Sequence, residues 1–475
     1  MLFYEPLFLF VFFPTFYLLY LIGERRKAAR HGIILVGSIV FYTWSEPLFV
    51  PLVLASSALD HVLARHIARR RAAARGTGLA LATGVAINLA ILIYYKYTGF
   101  LLQNLNDLLA GTAAGPIPVL AIVLPVGVSF IVFEKISYLV DVHRGASAPA
   151  ERFLTYLLYV FFFPKLLAGP ILKYHEMDAQ LRAVPAARFD DIASGFLRFM
   201  LGVAKKTLIA DTLANGADAV FGADPAIIGW QQAWLGAIVF AFQIYFDFSA
   251  YSDMAIGIGR MLGFRLRENF DMPYIACSMS EFWRRWHISL TTWIREYLYV
   301  PLGGNRVPPA RLYLNLWICF LASGVWHGAA WTYVAWGAYN GLFLVLERLF
   351  LRVWLDRLPR VVANLLTFAI VVVGWTFFRA HSIGQALALL RTMALPDFAP
   401  HPNGVWIKPD VIDATILAAA ICALPRMPGF HRLRRFVFDA PAPRLVWQTA
   451  LALLFVVAVG KGVADPFKPF LYFRF

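Results

Sequence analysis

The chain carries ten histidines, the side chains best suited to take up and return a proton near neutral pH. Their surroundings sort them. His31, His61, His66, His143, His175, His401 and His431 stand beside charges, prolines or basic loops, which predicts solvated or headgroup-facing positions. His381 follows the end of an apolar run, near Arg379. His327 differs, because no Asp, Glu, Lys or Arg occurs from Leu312 to Leu346. An ionisable group in such a run is costly in hydrocarbon and is expected to face a bundle interior or a cavity. Ser323, Gly324, Gly328, Ala329 and Ala330 leave room beside it for another chain segment or a ligand. Burial disfavours imidazolium, so a neutral His327 suits a general base. A histidine hydrogen-bonded between helices is the structural alternative.

His287 lies within EFWRRWHISLTTWIREY, residues 281–297. At 100° per residue, Trp283, Trp286, Leu290, Trp293 and Tyr297 share one face and Glu281, Arg284, Arg285, Thr292 and Arg295 the opposite one. The pattern predicts an interfacial helix with an aromatic anchor belt. That role does not account for His287, at the edge of the aromatic stripe beside Ile294. Asp247 and Asp253 close an apolar run, and Asp211 follows Lys205 and Lys206. Each carboxylate reads either as an orienter of a catalytic histidine or as half of an ion pair, with Arg260 or Arg265 for Asp247 and Asp253. Gly303-Gly304 reads as a turn. The HxxxH and HExxH spacings of an intramembrane zinc protease, the GxSxG elbow and the P-loop do not occur.

These residues need positioning elements, and composition says where those sit. Of 475 residues, 60% are hydrophobic and 15% charged, with a mean hydropathy of +0.65; soluble domains average about 25% charged. The chain therefore reads as an all-α polytopic membrane protein, a single membrane domain over 1–475 with its catalytic core at about 155–345. The net charge of +15 reads as cytoplasmic-loop and headgroup charge, not as a nucleic-acid surface. Cys277, Cys319 and Cys422 form no CxxC pair and read as buried, unreactive thiols.

Residues 6–22 are apolar over a bilayer's depth, and the basic cluster Glu24 to Arg30 follows them. That order fits a span better than a cleaved signal and predicts an N-terminus outside the cytoplasm. The arginines at 65–75 bring residues 31–64 out and back through a turn at Ser45-Glu46-Pro47. Runs at 79–95, 118–140, 195–213, 230–250, 312–331, 333–350, 361–378, 411–424 and 445–460 read as further spans, with 103–118 as a polar separator. The segment 159–174, YVFFFPKLLAGPILKY, reads as broken or re-entrant because of Pro164, Lys165, Gly169 and Pro170. Stretches 252–264 and 281–299 read as interfacial, and 396–410 as the longest polar loop. The expected total is about nine to twelve spans plus re-entrant pieces.

The block Glu281 to Arg306, with FDFSAYSDMAIGIGRMLGF (246–264) before it and GVWHGAAWTYVAWGAYNG (324–341) after it, resembles the membrane-bound O-acyltransferase family. The likeness is to the bacterial branch that holds the alginate O-acetylation membrane protein. LFYEPLFLFVFFP, FPKLLAGPILKY, KKTLIAD and the closing PFLYFRF resemble that branch as well. Lys165 departs from it, standing where an uncharged polar residue is expected. The resemblance implies a helical bundle around a central tunnel and acyl transfer to a hydroxyl, with the family's two hallmark positions on His287 and His327. Asp211, Asp247, Asp253, Trp283, Trp286, Trp326 and Asn340 are the candidate supporting or tunnel-lining residues. The resemblance further implies acetyl-CoA or another acyl thioester as co-substrate with no metal and no bound cofactor, and a polysaccharide acceptor such as alginate. A periplasmic serine-hydrolase-type partner and the bacterial inner membrane complete the expectation. D-alanyl transfer to teichoic acid-type acceptors is the alternative within the family, and a transporter or flippase the alternative outside it.

Overall fold

The computed structural model describes residues 1–112, 115–396, 404–466 and 468–471. His401, part of the 396–410 loop and the end of the PFLYFRF segment lie outside them. Among the described residues the regular structure is helical throughout. Among the same residues five helices are long and apolar enough to cross a membrane, and a sixth span is added if the bent pair Pro409–Arg426 and Phe430–Phe438 is one span. The chain divides into two compact units, one of residues 1–196 with 255–267 and the other of 197–254 with 268–475.

In the first unit the expected hairpin forms, with Lys27–Ser45 and Val50–Ala72 joined across Glu46. Glu46 accepts a hydrogen bond from the Val126 amide at 3.0 Å, and the Tyr42 hydroxyl donates to the Val126 carbonyl at 2.9 Å. Those bonds hold a non-helical stretch, which corrects the expected span at 118–140. Pro116, Pro118 and Pro125 remove backbone donors, so helix begins only at Val128, after Gly127 at φ +81°. The polar separator at 103–118 is also revised, since Gly78–Leu109 is one helical run relaxed by a π turn at Ile93–Tyr97. The segment 159–174 breaks as expected. Helix Phe153–Phe161 ends, a single turn Phe163–Leu166 follows, and helix resumes at Tyr174. Lys165 lies fully buried in that break and pairs with buried Glu134, while Lys135 pairs with Asp60 at 3.2 Å. An unusual charge in the sequence is thus half of an interior pair, as intramembrane ionisable residues commonly are.

In the second unit two expectations fail. Residues 252–264 do not form a separate interfacial piece, because Trp230–Met261 is one continuous helix, with 83% of its apolar window buried. Asp253 does not end it. Arg198 at 2.9 Å and Lys205 at 2.9 Å neutralise that carboxylate, so the charge is carried inside the fold. The single amphipathic helix at 281–299 is two short helices, Met279–Arg285 and Ile288–Ile294, broken at Trp286-His287 and followed by a π turn at Arg295–Tyr299. Helices Pro309–His327 and Trp331–Leu346 form a tight hairpin. A Cβ on Gly324 would lie 2.3 Å from the Tyr333 carbonyl oxygen, and one on Gly337 would lie 2.4 Å from that of Phe320. The small residues around His327 therefore make room for a neighbouring helix.

Two stability outcomes follow. Replacing Lys165 by Met strands the buried Glu134 carboxylate, a change that costs about 3–5 kcal/mol. The melting temperature in detergent should fall for Lys165→Met and largely recover in Lys165→Met/Glu134→Gln. Gly337→Val should lower it too, since overpacking costs about 1–3 kcal/mol, whereas Gly460→Val should not, because nothing lies within 4 Å of a Cβ there.

Candidate active site

Both singled-out histidines are buried in the second unit, at 0% and 4% exposure, and their ring centroids lie 6.5 Å apart. His327 ends the Pro309–His327 helix, and Gly328 leaves it in extended conformation at φ −165°. Tyr333 fills the place a side chain at 328 would need, 2.1 Å from a built Cβ, so the helix end is fixed by steric contact. The His327 ring is surrounded by Trp326 at 5.0 Å, Trp336 at 5.0 Å and Phe378 at 5.3 Å. Trp283 packs on Trp336 at 5.6 Å, and Trp286 packs on Trp375 at 4.9 Å behind it. An aromatic enclosure excludes water and strengthens any electrostatic contact formed inside it.

His287 reaches this enclosure through strain. Its φ of +43° is left-handed, a region L residues with a bulky side chain rarely adopt. Asn269 compensates. Its backbone carbonyl accepts the Ile288 amide at 2.9 Å. Its side-chain oxygen accepts the Ser289 amide at 3.2 Å and the Ser289 hydroxyl at 2.9 Å, and faces His287 Nδ1 at 3.1 Å. Its amide nitrogen donates to the Ser252 hydroxyl at 3.2 Å. A backbone N–H can only donate, so the atom facing Ser289 must be the carboxamide oxygen, and the proton between the two side chains belongs to His287 Nδ1. In the neutral imidazole the lone pair then sits on Nε2, at the ring edge away from Asn269. His287 is thus oriented as a hydrogen-bond acceptor. Phe248 packs edge-on against the ring at 4.6 Å.

The carboxylates do not play the orienting part considered for them. Lys206 bridges Asp211 at 2.8 Å and Asp247 at 2.8 Å, and Asp253 belongs to Arg198 and Lys205. The ion-pair reading holds, but with these partners; Arg265 pairs with Asp191. Asp247 also accepts the Leu471 amide at 2.7 Å. Trp283, Trp286 and Trp326 are buried, and Trp326 packs against both histidine rings, at 6.2 and 5.0 Å. Asn340 is buried but spends its amide on the Trp336 carbonyl one turn back, at 2.8 Å, which reads as helix support. His61 corrects the sorting of the other histidines, being buried beside Phe153 and Tyr156. His175 and His143 bond Asp141 and Thr77, each at 2.8 Å. Cys277 is only partly buried, unlike Cys319 and Cys422. Asn269 had no signal in the sequence, since nothing separates an Asn in RENFDMP from an ordinary loop residue.

Comparison with known proteins points to one family. A model of the membrane-bound O-acyltransferase family, MBOAT, matches residues 126–383, which include both histidines. The chain is 37% identical to the probable alginate O-acetylase of Azotobacter vinelandii, with all of both chains covered. It is 36% identical to the peptidoglycan O-acetyltransferase of Helicobacter pylori over 83% of this chain and 80% of that one. It is 26% identical to the teichoic acid D-alanyltransferase of Bacillus subtilis, over 53% of this chain and 68% of the other.

The clasp around His287 makes a specific demand. Asn269→Leu keeps the volume and removes the acceptor shared by Nδ1 and the Ser289 amide. Leaving such buried donors unmet costs about 1–3 kcal/mol. Acyl transfer by purified protein should fall roughly 10- to 100-fold on that scale, while Asn269→Asp, which keeps an acceptor, should retain more of the rate.

Proposed function

The chain belongs to the membrane-bound O-acyltransferase family, and we propose that within it this membrane O-acyltransferase moves acetyl groups from a cytosolic thioester, acetyl-CoA, toward O-acetylation of a polysaccharide. The observation that carries the reading is the pair of buried histidines in one aromatic enclosure, one of them fixed as an acceptor. Identity across the whole chain to a protein named for alginate O-acetylation supports acetyl over D-alanyl, since the D-alanyltransferase likeness covers about half of the chain.

The step balances without a metal. An acceptor hydroxyl gives its proton to His327 as its oxygen attacks the thioester carbonyl; the C–S bond breaks, and the departing thiolate takes the proton back. The Nδ1–H tautomer of His287 leaves its Nε2 to accept a hydrogen bond, which suits holding an N–H or O–H of a substrate better than stabilising an oxyanion. The Trp283 indole N–H is buried with no hydrogen-bond partner among the described residues, so a polar ligand atom can meet it. A polymer outside the inner membrane cannot reach a cytosolic donor, so the acyl group passes through the bundle to a periplasmic transferase of the serine-hydrolase type. The N-terminus lies on that outer side, as the basic cluster Arg25-Arg26-Lys27 directs.

Removing a general base costs about 10²–10⁴ in rate. Mass spectrometry of exopolysaccharide from cells carrying His327→Ala, with the protein present in the membrane at normal amount, should find acetyl ester nearly absent. Normal ester content would sink the assignment, and D-alanyl ester in the wild type would replace the acetyl reading.

A further inference from the structure

Helix Phe430–Asp439, FHRLRRFVFD, has no part in the site described above. It follows Pro409–Arg426, with which it is long and apolar enough for a span only as a bent pair, and is turned from it by 101°. Pro428 and Gly429, the latter at φ +85°, make the corner. The preceding helix is anchored there by Arg426, which donates to the Asn364 side chain at 2.6 Å and contacts the Ile275 carbonyl. If the first helix runs along the membrane normal, the second lies close to the membrane plane.

Its two sides differ. At 100° per residue Phe430, Leu433, Phe436 and Val437 gather on one side, and His431, Arg432 and Arg435 on the other, with Arg434 at the border. Leu433 and Phe436 are 53% and 62% exposed, with Met427 beside the corner at 59%. Arg432, Arg434 and Arg435 are exposed. Phe438 packs against Trp447 at 5.0 Å, which ties the far end of the helix to Pro441–Ala464. A soluble partner fits poorly, because an in-plane helix at the end of a span meets lipid on its apolar side.

We propose that Phe430–Asp439 is a docking surface for an anionic phospholipid leaflet, with Leu433 and Phe436 seated among the upper acyl chains and Arg432, Arg434 and Arg435 on lipid phosphates. An amphipathic helix with basic residues opposite bulky apolar ones sits at that depth, and each basic residue near an anionic surface strengthens the contact roughly fivefold. The surface makes the enzyme responsive to the anionic lipid content of its own membrane.

The test uses the full chain in nanodiscs. Phe436→Cys carries a bimane label in a background where Cys277, Cys319 and Cys422 are replaced by Ser, and nitroxide lipids quench it. A nitroxide near the headgroup should quench more than one at mid-chain. Labelled phosphatidylglycerol should quench severalfold more than labelled phosphatidylcholine, a preference that Arg432→Gln/Arg434→Gln/Arg435→Gln abolishes. Quenching by aqueous iodide and not by lipid would overturn the proposal, as would protection from both, the mark of a protein partner. Equal quenching by the two lipids would also overturn it.

Discussion

The carboxamide of Asn269 is the interaction on which the arrangement of the site depends. One oxygen meets His287, the Ser289 amide and the Ser289 hydroxyl, and so holds a left-handed residue where two short helices meet. Without that clasp, the segment that reads as one amphipathic helix would have no reason to break, and His287 would lie along a helix flank. With it, the chain turns at Trp286-His287, keeps its tryptophans inward and brings the imidazole to 6.5 Å from that of His327, centroid to centroid. The strain of a single residue is the means by which two histidines 40 positions apart in sequence come into one enclosure.

His327 is placed by a different force. Gly324 and Gly337 let two helices touch backbone to backbone, and the ring of Tyr333 occupies the space over Gly328. The site is therefore held by one polar clasp and one close steric contact, both in the interior and both independent of solvent. Further out, charge is handled by pairing. Lys206 with Asp211 and Asp247, and Asp253 with Arg198 and Lys205, give the second unit an interior that carries ions without exposing them to hydrocarbon. The first unit does the same with Asp60, Glu134, Lys135 and Lys165.

Much of this was readable in advance where a residue conflicted with its surroundings. His327 stood out in a charge-free run, and the prolines and Lys165 announced a broken segment. What stayed hidden depended on partners distant in sequence. The helical wheel over 281–297 placed the tryptophans correctly, because they are buried on either side of the break, and it gave no hint of the break itself. The partner that forces it, Asn269, lies in a loop 18 positions before His287. Asp253 looked like the end of an apolar helix because the Arg198 that neutralises it is 55 positions away. Sequence periodicity reports what faces inward; it does not report which polar atom meets which.

We propose that His287 and His327 act as one unit on a single acyl group. The direct measurement is the acyl-transfer rate of purified His287→Ala, His327→Ala and the double variant in the same lipid. Residues that work together lose rate non-additively, so the double variant should be no slower than the slower single one. Losses that multiply, or a single variant that keeps the full rate, would show that the two histidines act separately.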